Sequence, residues 1–261
     1  MLACRTMAIA LVLLFGAIVG SFLNVCILRI PAGESIVLPG SHCPSCKEPI
    51  RAYDNVPLFS YLALRGRCRD CRAPISARYP LVELLTAALF ALIFRHVGLH
   101  PELLVYFAFV ASLVVITFID IDHQIIPDAI SLPGILVGLA AAALGYGVPL
   151  RESLIGVLIG GGFLYAVAVG YELLMRREGM GGGDIKLLAM IGAFVGWRGV
   201  LVALLVGSFS GAVFGVVLMF ARGSDTRLPI PFGPFLSFGA IVALFWGGPL
   251  LEWYAGLAQL N

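Results

Sequence analysis

Two aspartates stand where long apolar runs end: Asp120 closes Leu103–Ile119, and Asp184 follows the glycine run Gly181-Gly182-Gly183. A carboxylate at the edge of a membrane segment is costly to keep there, so its presence argues for a task. Two carboxyl groups that meet and share one proton supply the acid and base that drive a water onto an amide carbonyl. The pair therefore points to a membrane-embedded aspartic protease. Such a dyad titrates as a unit, and sequence assigns neither residue as acid or as base.

The residues around the pair sort by position. Gly181 and Gly183 allow a tight turn and the close approach of a substrate backbone. From Ile185 to Trp197 there are 13 residues before Arg198, so a helix there covers only ~20 Å of a ~30 Å hydrocarbon layer. Irregular backbone at that depth requires protein or a water-filled cavity around it, which suits a reaction that consumes water. Asp128 follows Pro127 and opens an apolar run, the place of a helix cap. Asp122 points to another face of any helix continuing past Asp120. With Lys186, these two acids are candidates for contacts to the substrate or to the dyad. His123 is a lone histidine in a polar turn and is given no ligand role.

A second constellation lies nearer the N-terminus. Cys43-Pro44-Ser45-Cys46 and Cys68-Arg69-Asp70-Cys71 are two CxxC knuckles separated by 21 residues, a spacing that brings four thiolates into a tetrahedron suited to zinc. The surrounding polar insertion is too short to stabilise itself by core burial alone. A closed structural site is expected, with no metal catalysis implied. Cys4 and Cys26 lack such partners and read as apolar packing residues.

These groups must be held by membrane helices. Apolar residues make up 60% of the 261 and charged residues 12%, with a mean hydropathy of +1.00, unlike a soluble core. Eight apolar stretches are candidate spans: 7–28, 79–95, 102–119, 129–147, 153–175, 185–197, 199–221 and 231–250. The first is read as retained rather than as a cleaved signal. The expected fold is all-α and polytopic, in three parts: a first transmembrane helix (1–28), a small cytoplasmic zinc-knuckle domain (29–78) and a membrane-embedded protease domain (79–261). Of the 17 basic residues, only Arg5, Arg95, Arg151 and Arg198 fall on the side opposite the insertion. The positive-inside rule then places the insertion and both aspartates at the cytoplasm.

A net charge of +2 gives no argument for nucleic acid, and topology with contact to anionic lipid headgroups accounts for it. The glycine run lacks the GK[ST] ending of a phosphate loop. The serious rival is an ion-coupled transporter, which calls for acids near the midplane and symmetric halves; here the acids lie at one rim and no repeat of the halves is evident. A non-catalytic zinc-knuckle membrane adaptor is the third class.

The string Asp120-Ile-Asp-His-Gln-Ile-Ile-Pro127-Asp128, followed 64 positions after Asp120 by Asp184, resembles the GxGD aspartic proteases of the type IV prepilin peptidase family. Gly20-Ser21-Phe22-Leu23-Asn24-Val25, the knuckles themselves, and Arg78-Tyr79-Pro80-Leu81-Val82-Glu83 resemble the cysteine-containing module of its bifunctional members. Pro231-Phe232-Gly233-Pro234-Phe235 extends the likeness towards the last span. The resemblance implies a bacterial inner-membrane enzyme that removes the basic leader of prepilins or pseudopilins after a glycine. It further implies N-methylation of the new first residue, usually phenylalanine, with S-adenosylmethionine as donor. By motif, Asp120 and Asp184 are the implied catalytic pair, and Cys43, Cys46, Cys68 and Cys71 the zinc ligands. No spacing or glycine fingerprint marks a methyl-donor site.

Overall fold

A computed structural model describes residues 2–175, 181–222 and 230–258, with the side chains of 2–5, 222 and 258 excepted. The reading of Cys4 and the basic side chains of Arg5, Arg176, Arg177, Arg222 and Arg227 falls outside this set. Backbone polar groups in lipid must be satisfied within their own segment, which leaves apolar runs only the helix or the closed barrel. The helices are α1 (Leu2–Ala32), α2 (Phe59–Ala63), α3 (Arg78–Val97), α4 (Glu102–His123), α5 (Asp128–Ala143), α6 (Leu150–Met175), α7 (Gly182–Arg222) and α8 (Gly233–Ala258). Six of them are long and apolar enough to cross a membrane, and α5 is a shorter apolar helix. The chain is an all-helical polytopic membrane protein.

Three of the expected spans differ in detail. The stretch 129–147 is helical only to Ala143, because Gly145 and Gly147 adopt φ of 82° and 86° and turn the chain. The segments 185–197 and 199–221 form one helical run whose break falls at Gly196, with φ 69° and ψ 177°. That conformation suits glycine and denies it to other residues. It leaves a first half of α7, Gly182–Val195, only about 21 Å long at 1.5 Å per residue. The short helix beginning at Asp184's turn is thus real, and its end is set by Gly196 rather than by Arg198.

Two compact units divide the chain, Met1–Val115 and Ile116–Asn261. In the first, α1 lies directly against α3. A Cβ at Gly16 or Gly20 would come within 2.7 Å of the Cα of Ala87 or Glu83, so the absent side chains allow the two backbones to touch. Phe15, Phe90 and Phe107 continue the contact, the last two stacked with centroids 3.9 Å apart.

In the second unit, α5, α6 and α8 each pack on α7. The tightest crossing joins α6 and α7, where Gly156 and Gly192 face each other backbone to backbone. Next to it the buried Ser153 hydroxyl donates to the Ala193 carbonyl at 2.7 Å, a polar tie of the kind that joins helices in lipid. Helices α5 and α6 form a hairpin, so the chain returns to the level at which α4 ended. That return gives residues 120 and 184 the same end of the unit.

Gly156→Leu should therefore force this crossing apart and destabilise the protein by ~1–3 kcal/mol or more, the usual cost of overpacking. Gly162→Leu, at a position where a Cβ meets no atom within 4 Å, should leave stability unchanged. Thermal unfolding of the two variants in the same detergent checks the difference.

Candidate active site and metal centre

Helix α4 brings Asp120 to the site on a fully buried face, with Ile116 and Ile119 at 0% exposure one turn before it and beside it. The helix stops just beyond, because Gln124 takes a left-handed φ of 54° and its amide closes on the Asp120 carbonyl at 2.9 Å. This is the αL ending common at helix C-termini, here without the usual glycine. Asp120 itself is 5% exposed. Its Oδ2 accepts the buried Gly233 amide at 2.9 Å. A Cβ on Gly233 would lie 2.6 Å from that same oxygen, so only glycine fits there with the carboxylate in place.

Asp184 sits in the first turn of α7, half-buried. It is near enough to Asp120 for the two charges to interact. Both line a cavity of about 730 Å³ walled by the end of α4, residues 124–128, the glycine run with Lys186, and Ile230–Phe232. The N-termini of α5, α7 and α8 all meet this cavity, bringing the positive ends of three helix dipoles to it. Chemically, the arrangement is two interacting carboxyl groups on a chamber large enough for water and a peptide segment.

The remaining sequence-based candidates divide. Gly183 is required by packing, since its Cβ would come within 2.9 Å of the Ile126 Cβ, whereas Gly181 has open space around it. Asp128 is the first residue of α5, with Pro127 in the cap position. The expected cap role is therefore not its own, and its carboxylate takes the Lys186 ammonium instead, at 2.7 and 2.8 Å. Asp122 is exposed and is not among the residues that line the cavity.

Two residues quoted in the sequence motifs were given no role of their own there. Gly233 holds Asp120, and Ile126 wedges against both Gly183 and the position a Gly233 side chain would take. A glycine between Phe232 and Pro234 at a helix start was the available signal.

The four cysteines expected to bind metal do converge. The Sγ atoms of Cys43, Cys46, Cys68 and Cys71 all lie within 4.8 Å of one another. Cys43 and Cys71 are 3.8 Å apart, well beyond a disulfide and near the ~3.8 Å edge of a tetrahedron with Zn–S bonds of ~2.3 Å.

Each knuckle is folded by the same bonds. The Cys43 amide donates to Glu48 and Lys47 donates back to the Cys43 carbonyl; the Cys68 amide donates to Ala73 and Arg72 donates back to Cys68. Lys47 and Arg72 both adopt positive φ, 62° and 61°. Amides of Cys46 and then Ser45 favour the Cys43 thiolate and lower its thiol to about 6, while Cys46, favoured by the Glu48 amide but opposed by burial and the neighbouring thiols, is pushed up to about 12. Outside the cluster, Arg69 grips Asp54 through Nε and Nη2, and that contact holds the Asp54 carboxyl below its ordinary range.

Residues 14–97 match the bacterial peptidase A24 N-terminal domain, and residues 107–216 match the type IV leader peptidase family. A prepilin leader peptidase/N-methyltransferase of Aeromonas salmonicida is 40% identical, over 94% of this chain and 93% of the relative. The protein of that name from Pseudomonas aeruginosa is 38% identical over 94% of this chain and 93% of its own. One from Myxococcus xanthus is 47% identical over 80% of this chain and 62% of its own. No solved structure matches the chain.

The convergence of the thiols sets an outcome for metal content. The purified protein should carry one zinc per chain by elemental analysis, and Cys68→Ser should lose most of it, because three thiolates leave the closed tetrahedral site incomplete.

Proposed function

The chain belongs to the type IV leader peptidase family, and from that premise we propose how its residues divide the work of a membrane aspartic endopeptidase and N-methyltransferase. The substrates are type IV prepilins or pseudopilins, cut after glycine at the cytoplasmic face of the bacterial inner membrane. Asp120 and Asp184 are the catalytic pair. The observation that supports this most directly is their shared cavity, with Asp120 held by Gly233.

A water held between the two carboxyl groups gives its proton to the ionised one as its oxygen attacks the scissile carbonyl. The protonated partner donates to the carbonyl oxygen, giving a tetrahedral diol. Return of a proton to the amide nitrogen lets the C–N bond break, and the pair is restored. The dyad works as a unit, so the two roles stay unassigned.

The Gly233 amide fixes Asp120 in position throughout, because a reaction of this kind loses rate steeply with small misplacements. A cavity at helix ends also suits the substrate. An apolar pilin helix stays in the bilayer while its basic leader remains at the aqueous surface. Leader contact through Asp128 competes with the Lys186 ion pair.

The transporter reading is disfavoured by the position of the pair. Both aspartates lie within one turn of helix ends, not near the middle of the spans as a midplane ion site needs. For the cysteine module the role is structural, with Cys43, Cys46, Cys68 and Cys71 holding zinc. S-adenosylmethionine, when bound, supplies the methyl group for the new N-terminal amine.

Asp120→Asn and Asp184→Asn should each cut the rate of prepilin peptide cleavage by at least about a thousandfold, with normal membrane levels. Gly233→Ala should lower it about a hundredfold by displacing Asp120, with zinc content unaltered. Cleavage assayed by mass spectrometry on purified protein decides both; undiminished processing by either aspartate variant would remove the peptidase assignment.

A further inference from the structure

Helix α2 reverses the pattern of a helix that faces water. Its Ser60 is buried, while Phe59 and Leu62 are 68% and 73% exposed. Three residues apart, these two share one face. What surrounds that face follows from the depth at which α2 is tied to the membrane helices.

Helix α3 carries Arg78 at its start and Arg95 in its last turn. That separation is ~25 Å along a helix, less than the ~30 Å hydrocarbon layer. Each arginine is therefore drawn to an opposite edge, and the residues between them lie within the layer. Glu83, five positions past Arg78, is then ~7.5 Å inside that edge. Its buried carboxylate accepts the amide of Leu58, the residue before α2, at 2.7 Å.

Helix α1 gives the same level independently. A Cβ on Gly20 would touch Glu83 and one on Gly16 would touch Ala87, which sets the register of α1 on α3. Ile18, Ser21 and Phe22 of that stretch line one crevice together with Asn55 and Pro57. The insertion thus reaches down beside the two helices instead of stopping above their ends.

Backbone amides at such a level need partners, because lipid offers none. From Asn55 to Ser60 each amide has one. Asn55 donates to the Ala52 carbonyl, Val56 to the Ser60 hydroxyl, Leu58 to Glu83, Phe59 to the Pro57 carbonyl and Ser60 to the Val56 carbonyl. Pro57 has no N–H to satisfy.

We propose that α2 is an interfacial membrane anchor, with Phe59 and Leu62 inserted among the acyl chains of the leaflet that the insertion adjoins. The occupant of this face is the bilayer itself. An interfacial helix seats its apolar side ~5–10 Å into the headgroup and acyl boundary, which agrees with the depth set by Glu83. Arg65 and Arg67, both exposed, follow α2 directly. Between residues 31 and 78 seven Lys and Arg stand against four acids, an excess that anionic headgroups complement. The zinc-knuckle module is then held by lipid at its middle as well as by α1 and α3 at its two ends.

The test uses full-length protein in nanodiscs of phosphatidylethanolamine and phosphatidylglycerol, doped with a phospholipid that carries a diazirine near the top of one acyl chain. After irradiation and digestion, lipid adducts should appear on residues 56–62 at a yield comparable to that at Leu158, an exposed residue of the spanning helix α6. The double variant Phe59→Asp/Leu62→Asp should lose about tenfold of the 56–62 adducts, since carboxylates are expelled from acyl chains. Its zinc content and its Leu158 adducts should match wild type, which verifies the fold.

Wild type without adducts on residues 56–62 overturns the proposal and returns α2 to water. Equal labelling of the double variant overturns it as well, because the contact would not depend on Phe59 and Leu62. A second probe separates lipid from protein: with p-benzoylphenylalanine at position 59, phospholipid adducts support the anchor. Cross-links to a second copy of the chain without lipid adducts overturn it and make the face a self-association surface. Should the double variant not accumulate, the wild-type labelling and the position-59 probe decide.

Discussion

One hydrogen bond sets the terms for the candidate active-site end of the C-terminal unit: the Gly233 amide to the Asp120 carboxylate. A carboxyl group 5% exposed at the C-terminal end of its own helix faces that helix's unfavourable dipole and has lost most of its water. An amide from the start of another helix supplies what its own helix withholds. Hydrogen bonds to charged groups contribute roughly 1.5–3 kcal/mol, enough to define where α8 must begin. The bond can form only because residue 233 has no side chain. From this follow the position of Phe232 at the cavity wall and the seating of Ile126 between the entries of α7 and α8.

The rest of the C-terminal unit keeps those entries at one level. Glycines at the α6–α7 crossing let two backbones approach as closely as their atoms permit, and Ser153 adds a polar tie at the same place. Close packing of this kind replaces the hydrophobic driving force that lipid does not supply between helices. Gly196 then breaks α7 early. Without that break the 14 residues of Gly182–Val195 would belong to one straight rod about 60 Å long, which no bilayer matches. Shortness brings the start of α7 inward, and Asp184 with it.

Much of this was legible in the sequence, and the reasons are physical. Hydropathy located every long helix because the bilayer admits few alternatives, and the two aspartates stood out because charge there is rare. The knuckle spacing led directly to the thiol cluster, since four cysteines of that pattern have few other uses. What sequence did not disclose were pairings between distant residues. Asp128 looked like a cap, and only the fold brings Lys186, 58 positions away, onto its carboxylate. Gly233 entered only as part of the Pro231–Phe235 likeness, with no role of its own, because nothing in its neighbours reveals an oxygen 113 positions upstream. The end of α5 at Ala143 was missed for a different reason: the apolar run continues, while the backbone conformations of Gly145 and Gly147 do not.

The two cysteine knuckles make a further point about how a small polar insertion stays folded among membrane helices. Each repeats Cys-x-x-Cys, a basic residue at positive φ, one further residue and Pro-Ile, and each closes with an amide to a carbonyl outside the knuckle: Ile50 to Ser41, Ile75 to Gly66. A left-handed residue other than glycine costs about 1–2 kcal/mol. Four non-glycine residues of the insertion have positive φ, Lys47, Leu58, Arg65 and Arg72, and their cost has to be offset by stronger interactions. Metal ligation supplies free energy of the order of ten kcal/mol at a structural zinc site, well above that strain. Arg69 on Asp54 and Arg51 on the Tyr53 hydroxyl are exposed contacts worth far less. The geometry of the knuckles is thus what four thiolates on one metal ion would require, while Asp54 and Asp70 pair with Arg69 and Arg51.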